Sequence, residues 1–156
     1  MRELAALLNT MRDDGVVLNY ALFGATVQMR YTEPVATLDA DVLVALPDPE
    51  RIDVLAPERE AIRVGAWPVQ FVPVFSELTR EALDEAETAD FEGVPLHVVG
   101  ATHLAVIALS VGRPKDYTRI LALLESDATS ADAVAQLASR HGLSDAWQRF
   151  RLRFLE

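Results

Sequence analysis

The chain has 156 residues, enough for one domain with a small helical appendage, and its 51% hydrophobic content can fill a core. It contains no cysteine, which excludes disulfides, thiolate zinc sites and cysteine nucleophiles. Its net charge of −10 argues against broad, nonspecific nucleic-acid binding, which depends on neutralising phosphates with Lys and Arg.

The N-terminal stretch lacks the long apolar core of a signal peptide, and no apolar run approaches the ~20 residues needed to cross a bilayer. These features predict a soluble, cytoplasmic protein with no membrane partner. Leu4, Leu7, Leu8 and Met11 recur at helical spacing and predict a helix over 3–13, ended by Asp14-Gly15. Val16 to Phe23 reads as a strand. Gly24 opens a helix through Tyr31, and Pro34 forbids its continuation. A second strand runs from Asp39 to Leu46, closed by Pro47-Asp48-Pro49, with a short helix expected over 50–56.

Ala61 to Val64 and Val69 to Val74 predict a hairpin across Gly65-Ala66-Trp67-Pro68. Ser76 is the expected N-cap of a helix over 77–85. Thr88 to Phe91 and Pro95 to Val99 flank Glu92-Gly93 as another strand pair. From Thr102 the pattern is helical, over 102–111, 114–126, 130–141 and 143–154. The predicted class is α+β: a mixed core over 1–100, then a helical region over 101–156 packed on it.

The most informative motif is Asp39-Ala40-Asp41 at the head of an apolar run. Residues i and i+2 on a strand project from one face, so two carboxylates are held close together. Ionising both is costly unless a cation lies between them, and Mg²⁺ takes such oxygen ligands together with substrate phosphates. Upstream, Gly24-Ala25-Thr26 ends a strand in a turn whose backbone could approach a phosphate. The bland alternatives are a surface acidic pair and an ordinary strand-to-helix connection.

Further cationic candidates are Arg30, in the helix after Gly24, and Gly112-Arg113-Pro114-Lys115-Asp116 at a helix junction. Of the 14 basic residues, Lys115 is the single lysine. Asp116 also suits the first helical turn for its dipole alone. His97 reads as a structural strand residue, and His103 and His141 as helix-terminal caps, with no zinc spacing among them. Trp67, Trp147, Phe150 and Phe154 are expected in the core.

Taken together, Leu22-Phe23-Gly24-Ala25-Thr26, Arg30-Tyr31, Glu33-Pro34 and Thr37-Leu38-Asp39-Ala40-Asp41-Val42 resemble the signature of the DNA polymerase β-like nucleotidyltransferases. Within them, the string is most similar to the bacterial AbiEii-type toxin branch. His103-Leu104-Ala105-Val106 and Gly112-Arg113-Pro114-Lys115-Asp116 resemble that branch's C-terminal motif. The resemblance implies a small mixed sheet flanked by helices, with a helical C-terminal region over a cleft. It implies transfer of a nucleotide from an NTP to an acceptor hydroxyl on RNA, protein or a small molecule, with Mg²⁺. Asp39 and Asp41 would be the catalytic metal ligands. Gly24, Ala25, Thr26, Arg30, Lys115 and Asp116 would contact the nucleotide. A cognate antitoxin or a second copy of the chain would be the protein partner.

The chain departs from the family pattern at four places. Ala25 replaces the usual second Gly or Ser of the turn, and Gln70 stands where many members carry a third carboxylate. Ala108 replaces a lysine and Arg119 an aspartate of the toxin branch. These departures define the alternative reading, a catalytically weakened or inactive fold serving as a protein-interaction module.

Overall fold

The computed structural model describes residues 1–33, 39–48, 50 and 62–156. The expectations for Pro34, Thr37 and the helix over 50–56, Glu50 apart, lie outside the described residues. Among the described residues, six strands form one mixed sheet: β1 Asn19–Phe23, β2 Ala40–Ala45, β3 Ile62–Val64, β4 Trp67–Pro73, β5 Glu87–Phe91 and β6 Val94–Val98. Seven helices accompany them among the same residues: α1 Arg2–Asp13, α2 Ala25–Tyr31, α3 Glu77–Asp84, α4 Ala101–Val111, α5 Pro114–Glu125, α6 Ala131–Arg140 and α7 Ser144–Phe154. The α+β class with a helical C-terminal region is therefore observed. Among the described residues no helix is long and apolar enough to cross a membrane.

The strand order is β3-β4-β2-β1-β6-β5. β1 is antiparallel to β2 and parallel to β6, β2 is parallel to β4, and both outer pairs are antiparallel hairpins. The central strands are wholly buried along Tyr20-Ala21-Leu22 and Val42-Leu43-Val44, as their unbroken apolar runs require. Because side chains alternate, Tyr20 and Phe23 point to opposite faces of β1. The Tyr20 hydroxyl donates to Asn9 Oδ1 of α1 at 2.7 Å, so α1 covers one face. The face carrying Phe23 and Asp41 is the other.

Two boundaries differ from the sequence expectation for local reasons, and the β5–β6 turn falls where it is expected. The first strand starts at Asn19, because Val16 N–H donates back to the Met11 carbonyl and Gly15, at φ 77°, closes the helix instead. The β3–β4 turn contains only Gly65-Ala66, since Trp67 pairs with Val64 across the ladder. The β5–β6 turn is Glu92-Gly93, with φ of 54° and 85°, the primed geometry that tight hairpins prefer.

A single apolar cluster runs from the sheet into the C-terminal helices. Leu104, Ile120, Leu123, Val134, Trp147 and Phe150 are buried in it together with Leu22 and Leu43. Trp67 and Phe154 are only partly buried against it. His97 lies at ring stacking distance, 5.2 Å, from Tyr20 and 3.3 Å from an Arg12 guanidinium nitrogen, so it belongs to the α1 packing rather than to a cleft.

α3 begins as expected at Ser76, whose hydroxyl accepts from the Thr79 N–H while the Thr79 hydroxyl accepts from the Ser76 N–H. This reciprocal cap satisfies two backbone donors that the first turn would otherwise leave unpaired. Ser76→Ala is expected to destabilise the chain by roughly 0.5–2 kcal/mol, read from the midpoint of urea denaturation at unchanged slope.

Candidate active site

Strand register sets the floor of the site. Phe23 of β1 pairs with Asp41 of β2, and Asp41 pairs with Gln70 of β4, so three side chains form a row across adjacent strands. Directly paired residues project to the same face, and this row opens into a cavity of about 540 Å³. Asp39, one residue before β2, lines the same cavity. So do Gly24 and Ala25 from the β1–α2 turn and Gln28 from α2. The opposite wall comes from Leu104, Ile107, Ala108 and Val111 of α4, and from Arg113, Lys115, Asp116 and Arg119 around α5.

Gly24 is glycine for two physical reasons. Its φ of 76° and ψ of −153° lie in a region open essentially to glycine alone. A Cβ there would also stand 2.7 Å from Asp41 Oδ2. The turn therefore lets the backbone lie directly against the carboxylate. Thr26 acts one step removed. Its hydroxyl donates to the Asp39 carbonyl at 2.9 Å and so ties α2 to the segment carrying the acidic pair.

Burial, and then the charge of Asp39, push the Asp41 pKa above the ordinary carboxylate value, while Arg119, Lys115 and Arg113 oppose the shift. Asp41 is thus partly desolvated, repelled by the exposed Asp39 carboxylate and faced by three cations. That is the condition in which an added divalent cation gains most, and the donors are all hard oxygens of the kind Mg²⁺ prefers.

The cationic wall is built on a buried carboxylate. Asp116 is 1% exposed. It accepts from Arg113 Nε at 2.7 Å, from an Arg113 terminal nitrogen at 3.2 Å and from the Arg113 N–H at 3.1 Å. Burial raises its pKa, but these bonds and the charges of Arg113 and Arg119 outweigh burial and leave it lowered. Asp116 thereby caps α5 and fixes Arg113 at the rim. Arg119 lies 3.6 Å from Asp116 and donates from Nε to Gln28 Oε1 at 3.1 Å, bridging α5 to α2.

Of the sequence candidates, Asp39, Asp41, Gly24, Ala25, Arg113, Lys115 and Asp116 share this cavity. Arg30 is placed elsewhere, 3.5 Å from Glu87 and over the Tyr31 ring, because α2 turns its last residues toward β5. Thr26 reaches the site only through the Asp39 backbone. Arg119 and Gln28 join the site without any sequence signal of their own. Along the chain Arg119 reads as a lost aspartate, and nothing in its local sequence indicates that it returns to the α2 turn.

Family models and curated proteins give no match to this sequence. Solved structures do. An antigenic nucleotidyltransferase-like protein from Paracoccidioides brasiliensis superposes with a TM-score of 0.52 at 15% identity, covering 94% of this chain and 92% of its own. The antibiotic-resistance factor ANT(2'')-Ia superposes with a TM-score of 0.52 at 13% identity, covering 96% of this chain and 97% of its own. The chain has the nucleotidyltransferase-like fold. At these identities the likeness concerns the fold alone.

Two outcomes follow from the geometry. Asp41 holds a proton more tightly in the folded chain than in the unfolded one, so its ionised form costs stability at all pH above its raised pKa. That cost fades only as pH falls through the folded value toward the unfolded one near 3.8. Asp41→Asn is therefore expected to raise the thermal midpoint at pH 7 without added metal, and to lose this advantage in acid. Gly24→Ala is expected to cost about 1–3 kcal/mol from backbone strain and to displace the Asp41 carboxylate, read from urea denaturation and from Mg²⁺ titration.

Proposed function

We propose that the protein is a Mg²⁺-dependent nucleotidyltransferase that moves a nucleotide from an NTP to an acceptor hydroxyl. The observation that carries this reading is the convergence of Asp39, Asp41, Gly24 and the Arg113–Lys115–Arg119 cations on one cavity. In the proposed reaction the acceptor hydroxyl gives up its proton to water as its oxygen bonds to the α-phosphorus, the bond to the bridging oxygen breaks, and pyrophosphate leaves with the electron pair. Asp39 and Asp41 would hold Mg²⁺, which when bound would neutralise charge on the attacking and leaving oxygens. Arg113, Lys115 and Arg119 would face the triphosphate, whose negative charge they complement. The Gly24 turn would let the triphosphate approach the backbone. Leu104, Ile107 and Val111 give the α4 wall an apolar surface against which a base or acceptor could lie.

The AbiEii-type assignment, with an antitoxin or second copy as partner and a cytoplasmic setting, is part of the same proposal and rests on the sequence motif and the absence of cysteine. The acceptor class is a protein, small molecule or RNA. The second reading, a nucleotide-binding fold that no longer turns over, is favoured by one observation. Gln70, a neutral amide, stands beside Asp41 at the strand position where a further carboxylate would serve a second metal ion.

Calorimetry with ATP, CTP, GTP and UTP, with and without Mg²⁺, tests both. Mg²⁺-dependent binding is expected for the wild-type chain and not for Asp39→Ala or Asp41→Ala, whose circular dichroism should be unchanged. Lys115→Ala is expected to weaken NTP binding on the order of tenfold or more, since a hydrogen bond to a charged group is worth roughly 1.5–3 kcal/mol. Unchanged affinity in the aspartate variants removes the site. Tight binding with no pyrophosphate release selects the second reading.

A further inference from the structure

A second cluster of ligand-type side chains lies away from the cavity, on the α3–α4–α6 side of the molecule. Glu81 lies in the last turn of α3 and Glu85 caps that helix four residues later, which brings the two carboxylates to one end of it. His103 on α4 meets them there. Its Nε2 lies 3.3 Å from Glu81 Oε1 and 3.6 Å from Glu85 Oε2. Neither contact has hydrogen-bond geometry, and this nitrogen is buried without a hydrogen-bond partner. His103 as a whole is only 9% exposed. Burying an imidazole nitrogen unsatisfied costs free energy, and two carboxylates that face it without bonding to it call for a further explanation.

We propose that Glu81, Glu85 and His103 form a second cation site, selective for a nitrogen-accepting divalent transition metal such as Zn²⁺. The three ligand atoms lie within 4.8 Å of one another. The two distances from His103 are close to the edge of a tetrahedron with metal–ligand bonds of about 2.0–2.1 Å, which is about 3.3 Å. Glu85 is the exposed member, at 60% for its side chain, and can rotate to close the remaining span. Mixed imidazole and carboxylate donors favour Zn²⁺ over Mg²⁺, which takes oxygen alone.

The surroundings suit a metal ligand set. Glu81 Oε2 is 2.5 Å from His141 Nε2 at the end of α6, and Oε1, the oxygen that faces His103, also contacts Arg140, which a bound cation would have to displace or share. Contacts of this kind fix the orientation of a ligating carboxylate. His103, Glu85 and Arg140 also border a cavity of about 420 Å³, which gives a cation an entry path and a water or small ligand the remaining coordination position. The site would join α3 to α4 directly and to α6 through Glu81. It is independent of the proposed transfer reaction.

The test uses the full chain carrying Asp39→Asn and Asp41→Asn, which removes the acidic pair of the main cavity, stripped of metal and titrated with zinc chloride. One equivalent is expected to bind and to raise the thermal midpoint, with Mg²⁺ at the same concentration producing neither effect. His103→Gln and Glu85→Gln, added to that background, are expected to abolish the equivalent. His141→Gln is expected to weaken it by about 10- to 100-fold, as loss of an orienting contact does. Glu85 is exposed, so its variant tests the site even if His103→Gln folds poorly. Absence of zinc binding in the parent shows the cluster to be an ion-pair contact only and overturns the proposal. Undiminished binding in Glu85→Gln places the zinc elsewhere and also overturns it.

Discussion

Asp41 is held at the second position of β2, between Phe23 and Gln70, with the Gly24 backbone pressed against one of its oxygens. Almost every other feature of the cavity answers the electrostatic problem this placement creates. A carboxylate taken partly out of water, beside a second carboxylate, is destabilised in its charged form. The fold does not neutralise it with a bonded arginine. Instead it places Arg113, Lys115 and Arg119 across the cavity, close enough to lower the Asp41 pKa but leaving space between. A gap flanked by paired acids on one side and cations on the other suits a metal–polyphosphate complex, which carries both signs of charge. An ordinary internal ion pair would have closed the gap.

Asp116 makes that wall rigid. A carboxylate 1% exposed would be very costly alone, yet it receives three bonds from Arg113 and the charge of Arg119. Removing one partner from such a group costs far more than the pair contributes, so the arrangement resists rearrangement even where its net stabilisation is small. Pro114 presets the first turn of α5 and lacks the N–H that this turn would leave unpaired. Asp116 then fixes the direction of Arg113, while Gln28 holds Arg119 toward α2. The cations are thereby positioned by the fold and are not left to search for an anion.

Most of the architecture was legible in the sequence because local signals agreed with one another. The helix at Ser76, the hairpin at Glu92-Gly93 and the α4–α5 break at Gly112-Arg113-Pro114 each rest on residues with few conformational alternatives. Asp39, Asp41 and Gly24 were legible as a group because their spacing places them on neighbouring elements. What the sequence concealed was contact between distant elements. Arg30 sits between one and two turns after Gly24, within apparent reach of a phosphate, but its helix phase carries it to Glu87. Glu81, Glu85, His103 and His141 have no recognisable ligand spacing, since separate helices bring them together.

The departures from the nucleotidyltransferase pattern look different once they are placed in space. Read along the chain, Gln70, Ala108 and Arg119 are three losses. In the fold all three line the same cavity, so their charges must be considered together. Gln70 offers no charge beside Asp41, and Ala108 offers none on the α4 wall. Arg119, one helical turn from Asp116, supplies a cation on the wall where Ala108 offers none. Burial lowers its pKa, but a guanidinium stays charged through such a shift. The cationic side of the cavity is therefore built from α5 and the residues that begin it, across from the acidic pair at the head of β2. Arg119, its side chain 14% exposed and its Nε bonded to Gln28, ties that cationic wall to the α2 helix that Gly24 opens.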